Sequence, residues 1–179
     1  MVIFLTGSSA SGKSALAETL AAALAGENAP LLYLATMAAE DGESRLRVAR
    51  HRAQRAGKGF ATLERPAGLA GLALPPGATV LLEDLGNLCA NELYAPGGGG
   101  AAAVLAGLED LSRRAANLVV VGNELAGDGG GWAGMEDYLR AVSRAQRFCA
   151  ARADAAGEVI CGIPLWHKCP AGFGKEVSP

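Results

Sequence analysis

The sequence is poor in aromatic side chains, in net charge and in long apolar runs. Phe, Trp and Tyr make up 5% of the 179 residues, so the core must consist mainly of aliphatic side chains and alanine. The formal net charge of -2 argues against a protein that coats nucleic acid. No run reaches the roughly 18 apolar residues of a membrane span, and the opening "MVIFLT" is too short for a signal peptide. We therefore predict a cytoplasmic protein with no membrane span and no nucleic-acid partner.

Cysteine motifs for metal binding or redox chemistry are also missing. The four cysteines form no C-x-x-C pair and have no metal-like spacing to the two histidines. They are Cys89, Cys149, Cys161 and Cys169. We expect buried, reduced thiols, which is the usual state of cysteine in a cytoplasmic protein.

The sequence does contain a regular alternation of short aliphatic runs with longer helical stretches. The runs predict strands at 2–6, 30–36, 79–84, 117–124 and 158–164. The other stretches predict helices at 14–26, 44–57, 101–116 and 135–156. Such alternation is typical of successive β-α units, so we predict an α/β fold with a mostly parallel central sheet and helices on both faces. A chain of this length suits a single domain, residues 1–179.

Two glycine-rich stretches interrupt this pattern, "APGGGGAAA" at 95–103 and "AGDGGGWAG" at 126–134. Neither has any periodicity, which predicts surface loops. The second follows a predicted strand end, where open α/β sheets bind their ligands, and we interpret it as a candidate lid over the site.

The most specific motif is "GSSASGKS" at 7–14, which fits G-x-x-x-x-G-K-[ST] between a predicted strand and a predicted helix. Backbone N–H groups of such a loop surround phosphates, the lysine reaches the β and γ oxygens, and the hydroxyl after it binds Mg²⁺. We therefore predict that Lys13 is catalytic and that Ser14 is a metal ligand. The nucleotide-binding residues predicted from the loop are Gly7, Ser8, Ser9, Ala10, Ser11, Gly12, Lys13 and Ser14.

A phosphate loop of this kind needs an acidic group at the end of a neighbouring strand to hold Mg²⁺. "TVLLED" at 79–84 offers Glu83 and Asp84 directly after four strand residues. Alternation of side chains along a strand directs only one of the two toward the nucleotide. We favour Glu83 as the metal ligand, with Asp84 as the alternative. A third interpretation is that both are ordinary polar residues at a strand end.

A basic segment, "RLRVARHRAQRAGKGF" at 45–60, follows the second predicted strand. Arg47, His51 and Arg55 are spaced i, i+4 and i+8, so they share one face of a helix. The segment is either a solvated helix surface or a cover over the triphosphate. In the second interpretation His51 acts as a nucleophile and the arginines offset phosphate charge.

Taken in order, these segments resemble the bifunctional adenosylcobinamide kinase/adenosylcobinamide-phosphate guanylyltransferases of cobalamin biosynthesis. The resemblance extends from Val2 to about Pro164. It rests on "LTGSSASGKS", "YLAT" at 33–36, "RVARHRAQR" at 47–55, "FATLE" at 60–64, "LLEDLGNLCANEL" at 81–93, "VVVGNE" at 119–124 and "AD...EV..GIP". The phosphate loop alone is unspecific, whereas the histidine-arginine segment and "NE" in this order are specific.

The resemblance implies a P-loop fold, often homo-oligomeric, that phosphorylates adenosylcobinamide and then transfers GMP from GTP to that phosphate. It implies His51 as the guanylylated residue, with GTP, ATP and Mg²⁺ as nucleotides and cofactor. Beyond the phosphate loop it implies nucleotide contacts from Ala35, Thr36, Met37, Arg52, Ala53, Gln54, Arg55, Glu64 and Glu83. His167, beyond the last predicted strand, is expected to be a surface residue.

The sequence departs from the family pattern on the side that would bind the corrinoid. The family's "NEVG" is replaced by "NELA" at 123–126, and Ala145 stands where the family has asparagine before Gln146. The candidate lid at 127–134 also lacks the usual basic residues. Two other function classes stay open on sequence alone: a small-molecule P-loop kinase without a covalent histidine, and a nucleotide-binding module without turnover.

Overall fold

The computed structural model of the protein describes residues 1–37, 57–124 and 135–173. Its described strands are β1 (Val2–Thr6), β2 (Leu31–Ala35), β3 (Ala61–Glu64), β4 (Thr79–Glu83), β5 (Asn117–Val121), β6 (Ala155–Ile160) and β7 (Ile163–Lys168). Its described helices are α1 (Lys13–Ala25), α2 (Leu85–Tyr94), α3 (Gly100–Arg114) and α4 (Glu136–Arg152).

The strands form one sheet in the order β3-β2-β4-β5-β1-β6-β7. All neighbours are parallel except β6 and β7, which form an antiparallel hairpin. Strand β1 lies between β5 and β6, with Ile3 paired to Val119 on one side and to Ala155 on the other. The predicted α/β fold with a mostly parallel sheet is confirmed.

Helices cover both faces of the sheet because the strands are apolar on both sides. On one face, Ile3 and Leu5 pack with Leu20 of α1. On the other face, Phe4 packs in the cluster that contains buried side chains of α2, α3 and α4, among them Leu88. Each fully buried aliphatic side chain of this kind contributes about 1.5–3 kcal/mol. Alternate residues of one strand therefore hold helices on opposite sides, and β1 is fixed from both.

The carboxyl-terminal part of the chain differs from the sequence prediction. The predicted helix at 135–156 ends at Arg152, and the next residues turn into β6. The backbone of Asp154 donates to the Val2 carbonyl at 2.8 Å, and its carboxylate accepts from the Val2 N–H at 2.7 Å. These contacts with β1 override the helix propensity of the alanines that follow. The predicted strand at 158–164 is a hairpin that turns at Cys161 and Gly162.

Other elements were shorter or less apolar than the sequence rules require. Strand β3, with its mainly exposed side chains, and the ten-residue helix α2 were not predicted. Helix α3 begins at Gly100, inside the predicted loop 95–103. The predicted helix at 44–57 lies almost entirely outside the described residues, and the candidate lid at 126–134 lies wholly outside them.

The expectation of four buried thiols is half correct. Cys89 and Cys149 are buried, but Cys161 and Cys169 are exposed, because the first lies in the hairpin turn and the second follows the edge strand β7. Within the described ranges, no helix combines the length and apolar character that a membrane crossing requires.

Candidate active site

The carboxyl ends of the parallel strands meet at one edge of the sheet, where open α/β sheets bind ligands. Glu83, the last residue of β4, is paired with Ala35 of β2 and with Val121 of β5. Glu64, the last residue of β3, is paired with Ala35 from the other side. Strand β1 enters the phosphate loop at the same edge. Several predicted site residues therefore lie side by side.

The phosphate loop is held by backbone contacts with distant segments. The Glu124 N–H, after β5, donates to the Gly7 carbonyl at 3.0 Å. The Gly162 N–H, in the β6–β7 turn, donates to the Ser11 carbonyl at 2.8 Å. A side chain at Gly7 would place its Cβ 2.5 Å from the Val159 carbonyl oxygen, so only glycine fits there. The loop is thus shaped by β5 on one side and by β6 on the other.

Helix α1 begins immediately after the loop and leaves its first N–H groups available. Gly12 occupies the N-cap position with a φ of 92°, which favours glycine, and it supplies no side-chain cap. The first N–H groups of a helix have no partner within the helix, and the helix dipole makes this end positive. The start of α1 is therefore suited to an anion such as phosphate.

Lys13 is buried and faces back into the loop. Only 7% of the residue is exposed, and Nζ donates to the Ser8 carbonyl at 2.9 Å. Burial lowers the pKa of Lys13, while the charges of Asp84 and Glu83 oppose this shift. A buried cation with two nearby carboxylates is in the position where the motif requires a contact with the β and γ phosphates.

Ser14 and Glu83 meet beside this lysine. The Ser14 hydroxyl donates to Glu83 Oε1 at 2.5 Å, which joins the first turn of α1 to the end of β4. A hydroxyl and a carboxylate are hard oxygen donors of the kind that Mg²⁺ prefers, and Mg²⁺ completes its shell with water and substrate phosphates. The donor set at this position therefore fits Mg²⁺.

Asp84, the next residue, has different partners. Its carboxylate accepts hydrogen bonds from the N–H of Asn87 at 2.8 Å and from the side-chain amide of Asn87 at 3.0 Å, so it caps α2. The Thr36 hydroxyl donates to the Asp84 carbonyl and accepts from the Asp84 N–H. Asp84 thus lies beyond the end of β4 and its carboxylate is engaged in capping α2, whereas Glu83 contacts Ser14, and this favours Glu83 over Asp84 as the metal ligand.

The chain matches the family described as cobinamide kinase / cobinamide phosphate guanyltransferase over residues 3–166, nearly its whole length. The protein belongs to this family. No curated protein matches the chain. The resemblance inferred from the ordered motifs is confirmed, and with it a transferase that acts on cobinamide in cobalamin biosynthesis and uses nucleotide.

The structure brings together some of the residues predicted for this family and does not describe others. The phosphate loop, Ala35, Thr36 and Glu83 lie at the carboxyl edge of the sheet, and Met37 follows Thr36. Glu64 is exposed at the end of the edge strand β3. His51 and the predicted nucleotide contacts at 52–55 lie outside the described residues. The roles of all these residues stay predictions.

Sequence reasoning missed three polar residues at the same edge, Asn87, Asn123 and Tyr138. Asp84 and Asn87 have the spacing of a helix N-cap and its third helical residue, a signal that could have revealed α2. Asn123 follows the buried strand β5 after a single glycine, which is a recognisable position for a ligand contact. No local signal marks Tyr138, because α4 brings it to the site from a different part of the chain.

Proposed function

We propose that the single domain formed by residues 1–179 carries out two transfers at one nucleotide site. The first moves the γ-phosphoryl group of a nucleoside triphosphate to the hydroxyl of adenosylcobinamide. The second moves GMP from GTP to the resulting phosphate and gives adenosylcobinamide-GDP and pyrophosphate. The observation that supports it most is the contact of Ser14 with Glu83 beside the buried Lys13, in a chain of this family.

In the phosphoryl transfer the protein mainly positions and neutralises charge. The N–H groups of the loop and of the first turn of α1 hold the phosphate oxygens. Lys13 exchanges its bond with the Ser8 carbonyl for bonds with the β and γ phosphates. Ser14 and Glu83 would hold Mg²⁺, which when bound offsets the negative charge of the triphosphate.

In the guanylyl transfer we assign the nucleophile to His51. Its imidazole nitrogen attacks the α-phosphorus of GTP, a nitrogen–phosphorus bond forms, and pyrophosphate leaves with the electrons of the broken bond. A phosphate oxygen of adenosylcobinamide phosphate then attacks the same phosphorus and releases His51. Lys13, Arg52 and Arg55 would offset the charge that develops on the leaving group.

Labelling with GTP that carries a radiolabel at the α-phosphate tests this assignment. Wild-type protein should acquire label that is labile to acid and comparatively stable to base, as expected for a nitrogen–phosphorus bond. His51→Ala should acquire none, yet keep at least part of the kinase activity. The matched control is His167→Ala, which removes the only other histidine of the sequence. His167 is exposed on β7, with Nε2 4.0 Å from Glu158 Oε2.

The same experiment separates the alternatives. A plain kinase and a non-catalytic nucleotide-binding module would both leave the wild type unlabelled, and only the kinase would phosphorylate cobinamide. Acid-labile label on His51→Ala would show that another residue is the nucleophile. Homo-oligomeric assembly and a cytoplasmic location are further parts of the proposal, and sedimentation of the purified protein tests the first.

A further inference from the structure

Three polar side chains from different parts of the chain converge on Gly86, at the start of α2. A Cβ built on Gly86 would lie 3.0 Å from the Tyr138 hydroxyl, 3.2 Å from Asp84 Oδ1 and 3.6 Å from Asn123 Nδ2. The absence of a side chain at Gly86 leaves room for these three groups to approach one point. We call Asp84, Asn123 and Tyr138 the Gly86 cluster.

The Gly86 cluster lies next to the phosphate loop. Asp84 follows β4 and Asn123 follows β5, and β5 is the neighbour of β1, which leads into the loop. Asn123 is held on both sides: its carbonyl accepts from the Gln146 side chain at 2.6 Å, and the N–H of the next residue, Glu124, bonds to Gly7. The backbone of Asn123 is therefore fixed relative to the phosphate loop.

The charge of Asp84 acts on both sides of the cluster. It is one of the two carboxylates that oppose the lowering of the Lys13 pKa. Burial, and after it the charge of Asp84, raises the pKa of the half-buried Tyr138. The charge of Asp84 is therefore close enough to act on both Lys13 and the phenol of Tyr138.

The donors of the cluster have spare capacity. Among the residues that the structure describes, neither the Tyr138 hydroxyl nor the side-chain amide of Asn123 forms a hydrogen bond within the protein. Within the described ranges, the Asp84 carboxylate accepts from Asn87 alone, which leaves lone pairs for a further donor. One acceptor and two donors beside a γ-phosphate site suit an alcohol, which both donates and accepts.

We propose that the Gly86 cluster binds the acceptor hydroxyl of the kinase step, with Asp84 as its general base. This inference rests on the proposed function and assigns the acceptor side of the same site. The alcohol oxygen attacks the γ-phosphorus and a new oxygen–phosphorus bond forms. The bond from that phosphorus to the bridging oxygen breaks, and the nucleoside diphosphate leaves with its electrons. The hydroxyl proton passes to the Asp84 carboxylate, while Tyr138 and Asn123 orient the alcohol.

The decisive variant is Asp84→Asn, because asparagine caps a helix as well as aspartate and so preserves α2. Removing a general base typically costs about 10²–10⁴-fold in rate, so kcat of cobinamide phosphorylation should fall at least ~100-fold. The Kd of GTP from calorimetry and acceptor-independent labelling by α-labelled GTP should change far less than this kcat, since neither uses the hydroxyl and the loss of the Asp84 charge reaches them only through Lys13. Asp137→Asn, an exposed aspartate of α4, is the matched control and should change none of these values.

The two donors are tested by Tyr138→Phe and Asn123→Ala. Loss of one hydrogen bond to a bound alcohol should raise KM for cobinamide about tenfold, with a smaller change in kcat and none in the Kd of GTP. Normal cobinamide kinetics in Asp84→Asn would overturn the inference, and so would an equal loss of phosphorylation and labelling. If the wild type itself is neither labelled nor active on cobinamide, the proposed function fails instead. Asp84→Ser, which also caps a helix, repeats the test should Asp84→Asn melt early by circular dichroism.

Discussion

The nucleotide side and the acceptor side of the site are built in different ways. On the proposed nucleotide side, eight consecutive residues supply the loop and the cation, and the proposed metal ligands are Ser14 of that loop and the Glu83 carboxylate. On the acceptor side, the Gly86 cluster takes one residue each from the ends of β4 and β5 and from α4. A loop of consecutive residues can be recognised as a motif in the sequence. A cluster that combines three separate segments forms only when the chain folds, so no sequence motif marks it. Four predictions probe this difference.

The largest effect is expected for Lys13→Ala, because in the proposed function this cation serves both transfers. Removing one charge-stabilising donor from an active site typically costs about 10²–10³-fold, and we expect at least that loss in phosphorylation and in labelling. The fold should persist, since the only hydrogen bond that Lys13 forms in the described structure is with the Ser8 carbonyl. Rate assays of both steps and circular dichroism measure this, with the exposed Lys168→Ala as the control. A folded Lys13→Ala with normal GTP turnover would refute the assignment of the loop.

The second prediction compares Glu83 and Asp84, which are adjacent in the sequence but which we assign to the nucleotide side and to the acceptor side of the site. Glu83→Gln should lower both transfers about 100-fold, with partial recovery at higher Mg²⁺ concentration, because the change removes a metal-binding carboxylate. Asp84→Asn should lower phosphorylation alone. Magnesium titrations of the two rates distinguish these patterns. Identical profiles for the two variants would mean that the carboxylates are not divided between nucleotide and acceptor.

A smaller effect concerns the support of α1 on the nucleotide side. The Glu18 side chain is only 5% exposed and meets Lys58 at 2.5 Å. Lys58→Met leaves a buried carboxylate without its charge partner and should lower the free energy of unfolding by about 1–2 kcal/mol, less than for a fully buried pair because Lys58 is half exposed. Urea unfolding measures it, with Lys168→Met for comparison. An unchanged midpoint would show that Glu18 finds another partner.

The smallest effect is one of reactivity on the acceptor side. Burial, with smaller effects from Asp84 and Glu92, raises the pKa of Cys89 to about 12, and burial raises that of Cys149 to about 12. A raised thiol pKa keeps the thiolate scarce at pH 8, so both should resist alkylation until the protein unfolds. Cys161 and Cys169 are exposed and should react first. Mass spectrometry of iodoacetamide-treated protein counts the modified sites, and four rapid modifications would contradict the packing of α2 against α4.

Sequence alone predicted the parts of the molecule that depend on local order. Strands β1, β2, β4 and β5 follow from apolar runs, and the loop follows from its glycines, Lys13 and Ser14. Strand β7 was not predicted, because residues 158–164 look like one apolar run, whereas the chain turns at Gly162 and β7 begins after that turn. Helix α2 was not predicted, because a helix of ten residues is too short to show a clear helical repeat of apolar side chains. Tyr138 could not be predicted as a site residue, since only the packing of α4 brings its hydroxyl near Asp84.

The position of β1 in the sheet has a consequence for how the protein is made. Its two neighbours, β5 and β6, begin at Asn117 and Ala155, and the loop that follows it is braced by Val159 and Gly162. On the ribosome, β1 and the phosphate-binding segment emerge well before β5 and β6, which lie far later in the chain. Such long sequence separation slows folding, because the entropy of closing a long loop is lost before the contacts form. Until then β1 is an apolar segment without its strand neighbours, which chaperones can bind. A nascent chain that stops before β6 also lacks the contacts of Val159 and Gly162 that shape the phosphate loop.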